Sequence, residues 1–227
     1  MQAVILAAGK GTRMQQLTKQ IPKPMISVYE RPLLAHKIEM LPDAITEVII
    51  IIGYLGYKII EYFGSSYAGK SITYVYQETL NGTGGALHYA IDLLQDPFLV
   101  LMGDDLYLKN DLEKLLEHEF ALLAYEHSDP RQFGLVSIDK NNHLIDVLEK
   151  PIEQKPGFIN TGAYMLTPRF FEYCPVQINQ NEYGLPQTLA HIGKTIPVHV
   201  VKAQSWHPVT SPEDIFKAGY LLRSFLQ

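Results

Sequence analysis

Small residues and two positive charges follow the first apolar run of the chain. Residues 4–7 are apolar, Gly9 and Gly11 come soon after, and Arg13 and Lys23 lie further downstream. Glycines after a buried strand let main-chain N–H groups approach an anion closely. Arg13 offers a planar fork of donors that suits phosphate oxygens, and Lys23 offers a second positive charge. The segment therefore predicts a phosphate-binding loop; a tight turn with two solvated cations is the simpler alternative.

The elements that must position this loop can be predicted from the apolar pattern of the first 120 residues. Residues 47–52 and 98–102 are apolar on both faces, which indicates strands inside a parallel sheet that helices cover. Further strands are predicted at 4–7 and 71–76, and helices at 32–41, 57–63 and 85–94. This alternation is typical of an α/β fold, with a doubly wound, mostly parallel central sheet and flanking helices. Ligands bind at the carboxyl ends of such strands, so segments 8–13, 81–85 and 103–105 are expected to line one crevice.

The pattern becomes rich in strands after about residue 120. Residues 133–138 and 143–149 flank a polar turn and predict a hairpin. A further strand is predicted at 158–166, broken by Gly162, and another at 197–201. Helices are predicted at 169–173, 185–192 and 212–226.

The composition limits the classes of function. The 227 residues are 47% hydrophobic and 19% charged, so the chain can bury a substantial core. The formal net charge of −5 argues against a nucleic-acid partner. No apolar run reaches the ~20 residues of a membrane span. The single cysteine, Cys174, cannot form an internal disulfide, and this suits a cytoplasmic location.

The loop also resembles a known family signature. Residues 6–14, followed by Pro-Lys-Pro-Met at 22–25, are similar to the signature of the sugar-phosphate nucleotidylyltransferases. That family includes glucose-1-phosphate thymidylyltransferases and the cores of hexosamine-1-phosphate uridylyltransferases and mannose- or heptose-1-phosphate guanylyltransferases. The resemblance implies a Rossmann-like nucleotide-diphospho-sugar transferase fold with a small β-rich sugar-binding part. It also implies that Arg13 and Lys23 bind phosphates through the transition state.

The resemblance extends to a nucleotide site. It implies contacts from Leu6, Ala7, Ala8, Gly9, Gly11, Thr12, Arg13, Lys23, Gln77, Gly82, Thr83 and Asp104. Gln77 and Gly82 would hold the edge of the base. Asp104 would bind Mg²⁺, so that Arg13, Lys23 and Asp104 form the catalytic set. Asp105 points to the other side if the strand continues, and could instead cap a helix or turn.

The second half of the chain resembles the part of the family that binds the sugar phosphate. The implied substrate contacts are Gly134, Glu149, Lys150, Asn160, Thr161, Gly162 and Glu182. Glu149 would hold sugar hydroxyls and Lys150 the sugar phosphate. We therefore expect a single domain over 1–227, with a nucleotide-binding half at about 1–120 and a sugar-phosphate half at about 121–227.

One position departs from the family pattern. Relatives commonly carry a second metal-binding Asp two residues after the tryptophan that Trp206 matches, and Pro208 stands there instead. Three readings stay open: a single-Asp magnesium site, substitution by Asp105 or another group, and weak or lost activity. The alternatives to a sugar nucleotidyltransferase are a cytidylyltransferase acting on phosphocholine or a phosphonate, and a non-catalytic nucleotide-binding regulator.

The expected reaction is in-line attack of a sugar 1-phosphate oxygen on the α-phosphorus of an NTP, which releases pyrophosphate. A phosphate monoester is mostly dianionic at neutral pH, since its second pKa is about 6, so the nucleophile needs no general base. This agrees with a sequence that shows no Ser-His-Asp, Cys-His or paired-carboxylate arrangement. The base, the sugar and the oligomeric state stay open.

Overall fold

The computed structural model describes residues 1–225, without the side chains of Arg13, Gln15, Leu221, Arg223, Ser224 and Phe225. The α-helices are α1 (Leu33–Glu39), α2 (Tyr57–Phe63), α3 (Gly82–His88), α4 (Lys109–Leu115), α5 (Leu185–Ile192) and α6 (Pro212–Phe225). Short 3₁₀ helices lie at Thr12–Thr18, Lys23–Met25, Ile91–Leu93, Pro130–Gln132 and Pro168–Glu172. Helices on both sides of a large sheet form the architecture.

The strands of the first half are β1 (Gln2–Leu6), β2 (Ser27–Val28), β3 (Arg31–Pro32), β4 (Glu47–Ile52), β5 (Ser66–Tyr67), β6 (Lys70–Tyr76), β7 (Phe98–Met102) and β8 (Asp105–Tyr107). Those of the second half are β9 (Ala121–His127), β10 (Gly134–Ile138), β11 (Leu144–Glu149), β12 (Gly157–Leu166), β13 (Val176–Asn179), β14 (Glu182–Gly184), β15 (His199–Lys202) and β16 (Trp206–Pro208).

The central sheet has the strand order β11-β10-β12-β7-β1-β4-β6-β5, and β9 joins β12 to β15. Strands β7, β1, β4 and β6 run parallel, as the apolar runs within β1, β4 and β7 predict. Strand β12 runs antiparallel to β7 and carries the sheet into the second half of the chain. The α/β class with flanking helices is confirmed, and the sheet as a whole is mixed. Its β-rich part extends the central sheet instead of forming a separate one.

Alternate residues of each central strand enter two different cores. On β4, Ile50 and Ile52 pack with α1, α2 and α4 on one face, whereas Ile49 and Ile51 pack with α3 and α5 on the other. This is the two-residue period of a strand that is covered on both sides. The sheet is therefore held from both faces, and the carboxyl ends of its parallel strands form a rigid edge.

Several elements differ from the sequence prediction. The helix expected at 85–94 begins earlier, at Gly82, and ends at His88; Ile91 is 42% exposed instead of joining its apolar face. The helix expected at 169–173 is a 3₁₀ helix. Neither α4 nor β9 is among the predicted elements. Strand β9 begins Ala-Leu-Leu-Ala, which favours a helix locally, and its pairing with β12 and β15 overrides that preference.

The hairpin predicted across 133–149 is confirmed as β10 and β11, which pair antiparallel. Asp139 accepts hydrogen bonds from the main-chain N–H groups of Asn141 and His143, which closes the turn. Among the helices within residues 1–225, none combines the length and the hydropathy that crossing a membrane requires.

Candidate functional site

A cavity of about 370 Å³ opens at the carboxyl ends of β1, β6 and β7. Its walls are the predicted phosphate loop, the start of α3 and the turn after β7. The lining residues are Leu6, Ala7, Ala8, Gly9, Gly11, Thr12, Lys23, Pro24, Gln77, Leu80, Gly82, Thr83, Ala86, Met102, Gly103, Asp104 and Glu182. The three segments expected to share one crevice thus do so, and eleven of the twelve predicted nucleotide contacts lie in its wall.

The phosphate loop is held against the sheet by its main chain. The N–H group of Ala7 donates to the carbonyl of Ile51, and that of Gly103 donates to the carbonyl of Leu6. Gly11 has a φ of +63°, and a Cβ there would lie 2.9 Å from the Cβ of Lys23. Glycine is therefore required at this position, because the left-handed backbone and the close approach of Lys23 both disfavour a side chain.

Lys23 and Asp104 meet at this cavity. Lys23 Nζ donates to Asp104 Oδ2 at 2.5 Å, although the two residues are 81 positions apart. The Lys23 side chain is 8% exposed and that of Asp104 31%, so the pair lies at the inner wall with the carboxylate facing the opening. The third predicted catalytic residue, Arg13, lies in the Thr12–Thr18 helix; its side chain is outside the described part of the chain.

Gln77 lies immediately after β6 and is 5% exposed. Its Nε2 donates to the carbonyl of Thr79 at 3.0 Å and to Asn81 Oδ1 at 3.1 Å. Both bonds fix the carboxamide beside the start of α3. Thr83 Oγ1 accepts from the main-chain N–H of Leu185, which ties α3 to α5. The Gln77 side of the cavity is thus held in place without a ligand.

The predicted sugar-phosphate contacts are distributed differently. Glu182, at the start of β14, lines the cavity and accepts a hydrogen bond from Asn179 Nδ2 at 2.6 Å. The remaining six are not among the residues that line it; they are Gly134, Glu149, Lys150, Asn160, Thr161 and Gly162. Lys150 is therefore not part of the cavity wall that Lys23 and Asp104 share.

Local contacts show what holds these residues. Glu149 Oε1 accepts from Gln187 Nε2 at 3.1 Å, and Lys150 is exposed with a φ of +47°. Asn160 Nδ2 donates to the hydroxyl of Tyr164 at 2.8 Å. Thr161 is 1% exposed, and its hydroxyl donates to the carbonyl of Leu123 within the sheet. The Thr161 side chain is thus engaged inside the protein, and the contact of Thr161 with substrate stays a prediction.

A buried polar cluster below Asp104 was not predicted. Lys37, on α1, is 2% exposed; its Nζ donates to the main-chain carbonyl of Asp105 and lies 4.6 Å from the centroid of the Tyr107 ring. Burial lowers the pKa of Lys37 to about 8, although the Asp105 and Asp104 carboxylates oppose the shift. Burial, with a contribution from Asp104, raises the pKa of Asp105 to about 8. One signal was available in the sequence: Lys37 lies three residues after Leu34, on the apolar face of its helix.

Pro208 lies next to the acidic pair. Strand β16 pairs antiparallel with β8 so that Pro208 is opposite Asp105, and the N–H of Val209 donates to the carbonyl of Asp104. Asp105 is 7% exposed, packs with Lys37 and Tyr107, and is not among the residues that line the cavity. Within residues 1–225, no cluster of three His, Cys, Asp or Glu side chains could hold a metal ion. The carboxylate that remains, Asp104, fits Mg²⁺, which needs only one or two carboxylates and keeps several waters.

Comparison with known proteins identifies the family of this chain. The sequence profile of a family described as "Nucleotidyl transferase" matches residues 2–222. The bifunctional protein GlmU of Methanocaldococcus jannaschii is 36% identical over 226 residues, which cover 98% of this chain and 54% of that protein. The UTP–glucose-1-phosphate uridylyltransferase AglF of Haloferax volcanii is 30% identical over 94% of this chain and 93% of its own length.

A solved structure agrees with the fold. It is named as a glucose-1-phosphate thymidylyltransferase of Bacillus anthracis in complex with sucrose, and it is 25% identical with a TM-score of 0.88. The match covers 98% of this chain and 95% of that one. The chain spans about half the length of the GlmU relatives that it matches.

Proposed function

Since the chain belongs to the nucleotidyl transferase family, we propose that it condenses an NTP with a sugar 1-phosphate to give an NDP-sugar and pyrophosphate. The observation that carries this proposal is the Lys23–Asp104 pair at the wall of the cavity. A cation and a carboxylate beside a glycine-rich loop are what phosphoryl-group chemistry on a metal-bound nucleotide needs. The relatives AglF and the thymidylyltransferase of B. anthracis are both named for nucleotidyl transfer to glucose 1-phosphate.

The nucleotide is assigned to the cavity. The main-chain N–H groups of the glycine-rich loop, with Arg13 and Lys23, would hold its phosphates. Gln77 and Gly82 would contact the edge of the base. Asp104 would hold Mg²⁺, which supplies positive charge to the phosphates when it is bound. Nucleotidyltransferases of this family generally depend on a divalent metal.

The acceptor is assigned to the edge of the sheet formed by β10, β11 and β12. Lys150 would bind its phosphate and Glu149 its hydroxyls, while Gly134, Asn160, Gly162 and Glu182 would shape the site. In this arrangement, about 1–120 form the nucleotide-binding half of one domain and about 121–227 the acceptor half.

The acceptor phosphate is itself the nucleophile. One of its oxygens bonds to the α-phosphorus as the bond from the α-phosphorus to the bridging oxygen breaks, and pyrophosphate leaves with that oxygen. The dianion needs no side chain to remove a proton. The work of the protein is to hold two polyanions in line, for which Lys23, Arg13 and Lys150 supply positive charge. A cytoplasmic location with small phosphorylated partners, and without nucleic acid, suits the single cysteine and the charge of −5.

A second candidate function is nucleotide binding without turnover. The observation that favours it is Pro208, which lies opposite Asp105 where related enzymes place a second metal-binding carboxylate. Mg²⁺ is held by only one or two carboxylates in many proteins, so Asp104 alone is sufficient. The catalytic proposal is therefore preferred.

Pyrophosphate release tests the proposal directly. The purified chain is assayed with each of UTP, dTTP, GTP and CTP against several sugar 1-phosphates, with phosphocholine as a further acceptor. We expect release with at least one NTP and one sugar 1-phosphate. Asp104→Asn should lower the rate and raise the Mg²⁺ concentration at half-maximal rate, because the carboxylate that holds the metal is lost. The matched control is Asp92→Asn, which alters an exposed carboxylate at Ile91–Leu93.

The outcomes separate the candidates. Release only with phosphocholine would replace the sugar acceptor. Nucleotide binding without release for any pair would favour the non-catalytic reading. Equal Mg²⁺ titrations for Asp104→Asn and the unaltered chain would remove Asp104 from the metal site.

A further inference from the structure

A buried cluster joins the cavity to the acceptor edge of the sheet. It consists of Lys37 on α1, with Asp105 and Tyr107 on β8, the strand that directly follows Asp104 in the chain. Lys37 and Tyr107 are each 2% exposed and Asp105 is 7% exposed, so none of the three is placed to contact a substrate. An ammonium group buried this deeply is costly unless it has partners, so the position calls for an explanation.

Lys37 fixes the main chain at the acidic pair. Its Nζ donates to the carbonyl oxygen of Asp105 and lies over the ring of Tyr107, 4.6 Å from its centroid. The bond is to the backbone, so it restrains the peptide that follows Asp105 whatever the Asp105 carboxyl group does. On the other side of that residue, the carbonyl of Asp104 accepts from the N–H of Val209 at 3.2 Å. Both carbonyl groups of the acidic pair are thus tied to other elements.

Tyr107 carries the connection to the acceptor edge. Its hydroxyl donates to the main-chain carbonyl of Thr161 at 2.9 Å, across 54 residues of sequence. Thr161 precedes Gly162, where β12 changes register against β9 and the φ is +76°. Tyr107 therefore ties the turn at Asp104 to the irregular part of β12, which follows the acceptor residue Asn160.

The charges around the pair explain why a lysine suits this place. Lys23 donates to the Asp104 carboxylate in the cavity, and Lys37 donates to the main-chain carbonyl of Asp105. Each residue of the acidic pair thus has an ammonium group beside it. An ammonium group attracts negative charge more strongly in a region of low dielectric constant than in water. Lys37 would support the negative charge at this turn while its hydrogen bond sets the direction of the chain.

We propose that Lys37 and Tyr107 are positioning residues, which hold the Asp104 carboxylate toward the cavity and fix it relative to the Thr161–Gly162 segment of β12. This inference rests on the proposed function, because it takes Asp104 as the metal ligand and β12 as part of the acceptor site. The cluster compensates for the missing carboxylate at Pro208 by giving the remaining one a fixed orientation.

The matched pair of variants is Lys37→Met and Lys70→Met. Lys70 is also a buried lysine, 8% exposed, and it too donates to a main-chain carbonyl, that of Ile45. Lys70 is the first residue of β6, and Gln77 follows the other end of that strand. Both variants are expected to lose thermal stability. Only Lys37→Met is expected to raise the Kd for Mn²⁺, by ~10-fold in electron paramagnetic resonance titrations. A change of this size is expected when a charge-assisted hydrogen bond is weakened.

Tyr107→Phe is the milder second variant, because it removes one hydroxyl and keeps the ring under Lys37. We expect its KM for the sugar 1-phosphate to rise several-fold with Mn²⁺ binding nearly unchanged. Tyr74→Phe is the matched control, since its hydroxyl also donates to a main-chain carbonyl, that of Gly64, far from the cavity. A purely structural role would lower the melting temperature of Tyr107→Phe without moving either KM.

Two results would overturn the inference. One is unchanged Mn²⁺ affinity in Lys37→Met together with an unchanged acceptor KM in Tyr107→Phe. The other is tighter Mn²⁺ binding in Lys37→Met, which would make Lys37 only a repulsive neighbour of the metal. If Lys37→Met weakens Mn²⁺ binding but the unaltered chain releases no pyrophosphate, the proposed function is contradicted and the positioning role of Lys37 is still supported. If Lys37→Met does not fold, the KM of Tyr107→Phe for the sugar 1-phosphate decides whether the inference holds.

Discussion

The proposed nucleotide side and the proposed acceptor side of this protein are built in different ways. On the nucleotide side, Lys23, Asp104 and Gln77 are buried or half-buried, are held by hydrogen bonds, and line one cavity. On the acceptor side, Glu149 and Lys150 are exposed at the end of β11 and do not line that cavity. The proposed nucleotide side is therefore held by contacts within the protein itself.

The difference follows from the position of each side in the sheet. The loop and Asp104 extend from β1 and β7, which are central and covered on both faces. Lys150 follows β11, an edge strand, and has a positive φ. A site on central strands is fixed by the packing of the core, whereas a site on an edge strand depends on contacts that a substrate can replace. The bond from Gln187 to Glu149 is one such contact.

The strongest way to test the preformed side is Lys23→Ala. Removing a fixed cation that takes up transition-state charge lowers turnover by ~10² or more, equivalent to about 2.7 kcal/mol. Pyrophosphate release by the variant measures the loss, and circular dichroism checks that the fold is kept. The control is Lys140→Ala, which removes an exposed charge from the β10–β11 turn. Full activity in Lys23→Ala would show that the nucleotide side does not depend on this cation.

Gly162→Ala tests whether the two sides depend on the close packing of β12 against the wall of the cavity. Gly162 has a φ of +76°, and a Cβ there would lie 2.4 Å from Cγ of Met102, which lines the cavity. A left-handed non-glycine residue costs about 1–3 kcal/mol, so we expect clear destabilisation. Thermal unfolding measures it, and Gly219→Ala is the control, because a Cβ there meets open space. An unchanged melting temperature for Gly162→Ala would mean that β12 adjusts at no cost.

Lys150→Ala probes the acceptor side alone. Loss of one exposed charge at a phosphate is expected to raise the KM for the sugar 1-phosphate by ~10-fold, about 1.4 kcal/mol, with little change in the KM for the NTP. Steady-state kinetics with each substrate varied separately give the two constants. Lys155→Ala is the control. That lysine is exposed, lies like Lys150 between β11 and β12, and pairs with Glu153. Equal effects on both KM values would contradict a division into two sides.

The sequence predicted the parts that depend on short stretches of chain. The strands at 47–52 and 98–102 have the predicted bounds, because each is an unbroken apolar run that only a covered strand accommodates. The glycines of the phosphate loop follow β1 directly, so their place at the carboxyl edge followed from the fold class. The hairpin of β10 and β11 could be predicted because its two strands flank a polar turn that is short in sequence. By contrast, β9 has the composition of a helix and becomes a strand through its neighbours.

By itself, the sequence determined the strands at 47–52 and 98–102, the loop at the edge of the sheet and the hairpin at 133–149. Only the tertiary structure decided that Lys23 meets Asp104, that Lys37 lies beneath Asp105, and that Lys150 stands apart from both. The physical reason is distance along the chain. Apolar periodicity acts over a few residues, whereas these pairings join positions tens of residues apart and depend on the register of β8, β12 and β16.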